Sequence, residues 1–169
     1  MTFAQDLLRL SRQLASLSGE FPEQASLRRA VSTAYYAIFH LLVTEATANW
    51  AQPELRAILG RCFDHGPMKV ASGPDQIKKL FRSQVAEPMT QKAERDLSTV
   101  AKAFIQAQQN RTDADYNLAK EWAPVEVDAQ IASVEQAFES WERIRQTSIA
   151  QSYLVSLLPS KNRGTAKSG

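Results

Sequence analysis

The chain has 169 residues, 44% apolar and 22% charged. That excludes a disordered or collagen-like polymer and predicts one domain with its own core. Lysine plus arginine total 20 and aspartate plus glutamate 18, a formal charge of +2 that excludes a uniformly basic surface.

The last segment, 159–169, holds Lys161, Arg163 and Lys167 and no acid, so residues 1–158 carry −1. Any nucleic-acid binding must then come from a local cluster of charge. Cys62 is the single cysteine and there are two histidines. No internal disulfide or cysteine-rich zinc site follows, and no metal or cofactor is expected. The opening Met1-Thr2-Phe3-Ala4-Gln5-Asp6 lacks the basic-then-apolar order of a secretion signal. The uncharged run Ala30–Thr44 is shorter than the ~20 residues that span a bilayer. The expectation is a soluble, cytoplasmic protein with no membrane partner.

Phe3, Leu7, Leu10, Leu14 and Leu17 step by fours and threes, the rhythm of a helix, and Ser18-Gly19 before Pro22 offers its stop. A second helix should run from Pro22-Glu23 to about Trp50. Its stretch Ala34–Val43 is apolar nearly all round, which predicts a central helix packed on several sides. Pro53 opens a short third helix. Six of the thirteen glycines and prolines fall between Gly60 and Pro88, so residues 64–88 read as an irregular segment. Asp64-His65-Gly66-Pro67 and Ser72-Gly73-Pro74-Asp75 are its turns, and a short helix spans Asp75 to about Ser83. From Met89 the rhythm returns through Ala93, Leu97, Val100 and Phe104, in a helix expected to end near Gln109-Asn110. Residues 111–123 read as a connector. Pro124 opens the next helix, marked by Ile131, Val134, Phe138 and Trp141. Ile149–Leu158 forms a last amphipathic segment, followed by a basic tail expected to be disordered. The predicted fold is all-α: one up-and-down bundle of four to five helices over residues 1–158.

Few polar groups suit chemistry. His65, near Arg61 and Lys69, is a candidate acid or base, or a residue that steadies a turn. His40 reads as a core histidine with one hydrogen bond. The richest cluster is Asn110-Arg111-Thr112-Asp113-Ala114-Asp115-Tyr116-Asn117. Turn formation explains it, and so does phosphate binding by Arg111 oriented by Asp115 or Tyr116. The pair Arg28-Arg29 reads as solvated, or as facing a phosphate or an acidic partner. Trp50, Trp122, Trp141, Phe39 and Tyr153 are either core or partly at an interface.

The run Leu27-Arg28-Arg29-Ala30-Val31-Ser32-Thr33-Ala34-Tyr35-Tyr36-Ala37-Ile38-Phe39-His40 resembles the second helix of HEPN domains. Phe63-Asp64-His65-Gly66 and the Arg-x-x-Ala-Asp-Tyr element Arg111–Tyr116 extend the resemblance to a stand-alone bacterial HEPN subfamily, over roughly residues 5–147. The resemblance implies a helical bundle that dimerises. It also implies a metal-independent ribonuclease cleft in which arginine stabilises phosphorane charge and a nearby histidine moves protons. The chain departs from that pattern: no histidine follows His65, and Tyr116 or Asn117 stands where one is expected.

Three readings follow. One is a dimer that binds RNA or nucleotide in a cleft between protomers. It would be a toxin–antitoxin or defence component with a degenerate ribonuclease motif, binding through Arg111, Asp115, Tyr116, Arg29 and Asn110, with a nucleotidyltransferase-type antitoxin as a possible partner class. The second is an endoribonuclease using Arg111 with Tyr116 or His65. The third is a structural adaptor.

Overall fold

A computed structural model describes residues 1–17, 23–83 and 90–159, with Thr90 as backbone only. Among these residues there are eight helices and no strand. They are α1 (Phe3–Ser16), α2 (Gln24–Ala48), α3 (Pro53–Gly60), α4 (His65–Ala71), α5 (Pro74–Arg82), α6 (Thr90–Tyr116), α7 (Pro124–Ile144) and α8 (Ser148–Ser156). The Ser18-Gly19 stop, Pro22, Pro88, Met89 and the basic tail lie outside the described residues.

Local chemistry sets the starts. Thr2 and Gln5 form a reciprocal capping box on α1: Gln5 N donates to Thr2 Oγ1 at 3.3 Å, and Thr2 N donates to Gln5 Oε1 at 2.9 Å. Pro53, Pro74 and Pro124 begin α3, α5 and α7, where a missing N–H costs nothing. Thr147 caps α8 by accepting from Ala150 N.

The other three long helices, α1, α6 and α7, pack around α2. This is why Leu27, Ala30, Val31, Ala34, Tyr35, Ile38 and Leu42 are all buried although they circle the helix. Side-chain pairs give the directions. Arg28 meets the end of α6 and Tyr36 meets Arg111, so α2 and α6 run oppositely. Asn110 meets Gln130 and Asp96 meets Arg143, so α6 and α7 do too. Ion pairs pin the exterior: Arg12 to Glu135 at 2.6 Å, Arg143 to Asp96 at 2.7 Å and Arg145 to Glu45 at 2.7 Å. Trp122, Trp141 and Tyr153 are core residues, Phe39 is half-buried, and Trp50 is exposed.

Three expectations need correction. The 64–88 segment is not irregular at its start: α4 precedes the helix expected from Asp75, so its described part is helical on both sides of Ser72-Gly73. Asp64 is not a turn residue in passing but the cap of α4, accepting from Gly66 N at 3.3 Å, and Pro67 sits in the first turn where it is tolerated. The third correction is at α6, which does not stop at Gln109-Asn110 but continues to Tyr116. Its polar last turns are held by α2. The Arg28 guanidinium donates to the carbonyls of Ala114 (2.8 Å) and Asn117 (3.1 Å) and to that of Lys120. Tertiary capping overrides the turn preference of Asn and Asp.

Candidate functional site

One face of α2 carries Ser32, Tyr36 and Phe39, and the last turns of α6 lie against it. Arg111 and Asp115 are four residues apart, one turn of the same helix face, and pair with Arg111 Nε 2.7 Å from Asp115 Oδ2. That approach is not aligned as a hydrogen bond, and Nε has no hydrogen-bond partner. The other Asp115 oxygen accepts from the buried Ser32 hydroxyl at 2.5 Å. Arg111 Nη2 donates to Tyr36 Oη at 3.2 Å. The guanidinium also lies 5.8 Å from the Tyr36 ring centre and 5.4 Å from that of Tyr116. It is therefore fixed along one edge, between two aromatic rings, while Nη1 makes no hydrogen bond among the described residues. Burial works to lower the Arg111 pKa, but Tyr36, Asp115 and Tyr116 outweigh it and raise the value, so the cation is permanent.

His65 reaches the same face from the first position of α4. Phe63 anchors the approach in the core, and Gln108 Nε2 on α6 donates to the His65 carbonyl at 3.1 Å. The imidazole lies 4.6 Å from the Phe39 ring centre and 5.5 Å from that of Tyr35. Its Nδ1 is hydrogen-bonded to the Tyr35 hydroxyl. Burial lowers the His65 pKa, and the charge of Arg111 lowers it further, against an opposing pull from Asp64. Burial raises the Tyr35 phenol well above its usual value. At neutral pH both groups are uncharged.

The pair then has a preferred tautomer. Tyr35 Oη has no other partner among the described residues, so the arrangement that wastes no proton has Tyr35 donating to Nδ1. The His65 proton then sits on Nε2. The reverse tautomer would leave the buried hydroxyl hydrogen without an acceptor, at a cost of about 1–3 kcal/mol. His65 thus offers an N–H donor beside Arg111 rather than a basic lone pair.

The remaining candidates separate. Tyr116 shares the site and is 69% exposed, leaving one side of the guanidinium under a ring that a ligand can reach. Asn110, although next to Arg111 in sequence, faces α7 and bonds to Gln130. Arg29 is exposed with no side-chain partner among the described residues, and Arg61 is also exposed. Arg28 is consumed as the α6 cap. His40 is half-buried without the hydrogen bond expected of it, and packs edge-on against Phe3 at 4.9 Å. Burial and the neighbouring His65 both lower its pKa. Among the described residues, no three His, Cys, Asp or Glu side chains gather as a metal site. No helix there is long and apolar enough to cross a membrane.

Sequence reasoning missed Ser32, Tyr35, Tyr36 and Gln108 as members of the site. The signal was present: Ser32, Tyr36 and Phe39 step by four and three, so these side chains share one face of α2. Comparison of the chain with protein-family models, curated proteins and solved structures gives no match.

Proposed function

We propose that this face binds the phosphate of RNA or a nucleotide, in a HEPN-like up-and-down bundle that acts as a homodimer in a toxin–antitoxin or defence system. The observation that carries the reading is Arg111: a guanidinium immobilised on one edge by Tyr36 and Asp115, with Nη1 unengaged. Such a group recognises a phosphate oxygen without reorganising. His65 supplies a second, neutral donor, and Tyr116 an exposed ring on which a base can stack. Asp115 offsets the charge of Arg111, so a single copy binds weakly. Two copies across a twofold axis would double the arginines facing one ligand.

The test is fluorescence anisotropy with labelled single-stranded RNA across a salt series. Wild type should bind at low salt and weaken steeply as salt rises, and Arg111→Ala should lose about tenfold or more in affinity. No binding at low salt would leave the structural adaptor. Light scattering during gel filtration tests the dimer.

The position of His65 favours a second reading, metal-independent RNA cleavage, because an imidazole absent from the Arg111–Tyr116 element is restored from α4. In it, His65 Nε2 takes the proton from the ribose 2′-hydroxyl after tautomer exchange, the 2′-oxygen bonds to phosphorus while Arg111 stabilises the phosphorane charge, and the P–O5′ bond breaks as the imidazolium returns its proton to the leaving 5′-oxygen. Cleavage in the presence of a chelator, leaving 2′,3′-cyclic phosphate ends and abolished in His65→Ala, supports it. Binding without cleavage rejects it.

A further inference from the structure

A separate hollow of about 390 Å³ opens along the seam of α6 and α7, away from the Arg111 face. Its walls are small: Ala103 and Ala107 from α6, and Ala129 and Ser133 from α7. The connector closes one end with Lys120 and Trp122. Five buried side-chain polar atoms among the described residues have no hydrogen-bond partner, and two of them belong to residues lining this hollow: Gln130 Nε2 and Trp122 Nε1. Gln130 is 7% exposed and Trp122 3%. Both nitrogens carry almost no accessible surface, so a guest reaches them only once the side chains over them shift. Buried donors without acceptors are rare in native proteins, and two beside one cavity point to an acceptor that such a shift admits.

Neighbouring amides hold both residues at the wall of the hollow. The backbone of Trp122 is clamped on both sides by the Gln24 amide, which donates to its carbonyl and accepts from its N–H, each at 2.9 Å. Gln130 Oε1 is held by Asn110, which fixes the amide with its nitrogen unused. The third donor is Lys120, whose ammonium lies 3.8 Å above the Trp122 ring and pairs with no carboxylate among the described residues. Glu126 also lines the hollow, but it accepts from Ala123 N at 3.0 Å at the start of α7. The cavity therefore has two covered donors in its wall, one cation unpaired among the described residues, and small apolar walls. Lys120, a flexible side chain lying across the indole, is the part that moves to admit a guest.

We propose that this hollow binds a small carboxylate with an apolar body. Its oxygens accept from Gln130 and Trp122, its charge faces Lys120, and its body lies against the alanines. The proposal is independent of the phosphate reading, since Arg111 contributes nothing to the hollow.

Proton–nitrogen correlation spectra of the labelled protein test it, with phenylacetate as the probe and phenylacetamide as its uncharged match. The chain has three tryptophans, so each indole N–H is a separate reporter. The Trp122 signal should move saturably with phenylacetate while those of Trp50 and Trp141 stay. Affinity should drop about tenfold or more for phenylacetamide, and equally in Lys120→Met. Trp122→Phe keeps an aromatic ring and removes the orphan donor, at the cost of a small cavity. It should still fold, with a lower Tm of its own, and lose the rise in Tm that phenylacetate gives the wild type. Arg111→Ala should bind phenylacetate as the wild type does. An unmoved Trp122 signal, equal binding of acid and amide, or an undiminished Tm rise in Trp122→Phe overturns the proposal.

Discussion

Arg28 and Arg111 meet at the junction of α2 and α6 and do opposite work. The guanidinium of Arg28 is spent on main-chain carbonyls of the α6 end and the connector after it. That of Arg111 has one edge anchored and one nitrogen without a partner. Both are arginines in a polar, helix-terminal setting, and only the list of atoms they serve distinguishes them. A saturated cation is part of the scaffold. A cation held still but left incomplete is prepared for something outside the chain.

The largest way to break this contrast is Arg28→Ala. It leaves several partly buried carbonyls without a donor, and loss of a charged hydrogen-bonding group of this kind costs about 2–3 kcal/mol. Urea denaturation should show that loss, with the end of α6 exchanging its amide hydrogens faster. Arg111→Ala should do the reverse: stability changes by about 1 kcal/mol or less, while RNA affinity falls about tenfold or more. If Arg28→Ala left stability unchanged, or Arg111→Ala were the more destabilising, the division of labour would be wrong.

Ser32→Ala sharpens the contrast at the next level. Ser32 is buried and its one role outside its own helix is to hold Asp115 at 2.5 Å. Removing the hydroxyl should cost about 1 kcal/mol in thermal or urea unfolding. It should also free Asp115 to neutralise Arg111 more fully, lowering RNA affinity by less than Arg111→Ala does.

Much of the helical framework was legible because its signals are local. Prolines at the first positions of α3 and α7 and the three-four apolar rhythm locate those helices without any tertiary information. The misread places are those where a distant residue decides. Asn110–Tyr116 reads as a turn until Arg28 and Ser32, more than eighty residues earlier, are seen to satisfy it. His65 reads as a loop residue until Asp64 caps α4 and Tyr35 takes Nδ1. Of the candidate site, Arg111, Asp115, Tyr116 and His65 stand out in the sequence, but the first three read there as part of a connector and not as one face of α6. The site's other half, on α2, carries residues that look like core in a helix apolar all round.

The histidines give a smaller effect, read by pH. His40 and His65 both hold pKa values below the ordinary one. As pH falls, the unfolded chain binds protons first, so their contribution to stability is complete above about pH 6.5 and is lost as pH drops through their folded values. Asp96 and Glu135 are also lowered, by hydrogen bonds from Arg143 and Arg12, but their contribution is lost only in stronger acid, below about pH 4. The urea midpoint should therefore decline already in weak acid, and His65→Gln should flatten that decline. An unchanged slope in His65→Gln would mean that Tyr35 does not hold a neutral imidazole.

The smallest expected effect belongs to Arg29. It neighbours Arg28 in sequence, yet it points into solvent and serves no other side chain. Arg29→Ala should alter stability by no more than about 0.5 kcal/mol, which separates it from Arg28 at once. Its effect on RNA is a question of path. If the strand runs from Arg111 along the exposed side of α2, Arg29 neutralises one phosphate, and its removal lowers the salt dependence of binding by about one ion. An unchanged salt slope places the strand instead over Tyr116, away from α2, and leaves Arg111 as the contact that fixes its register.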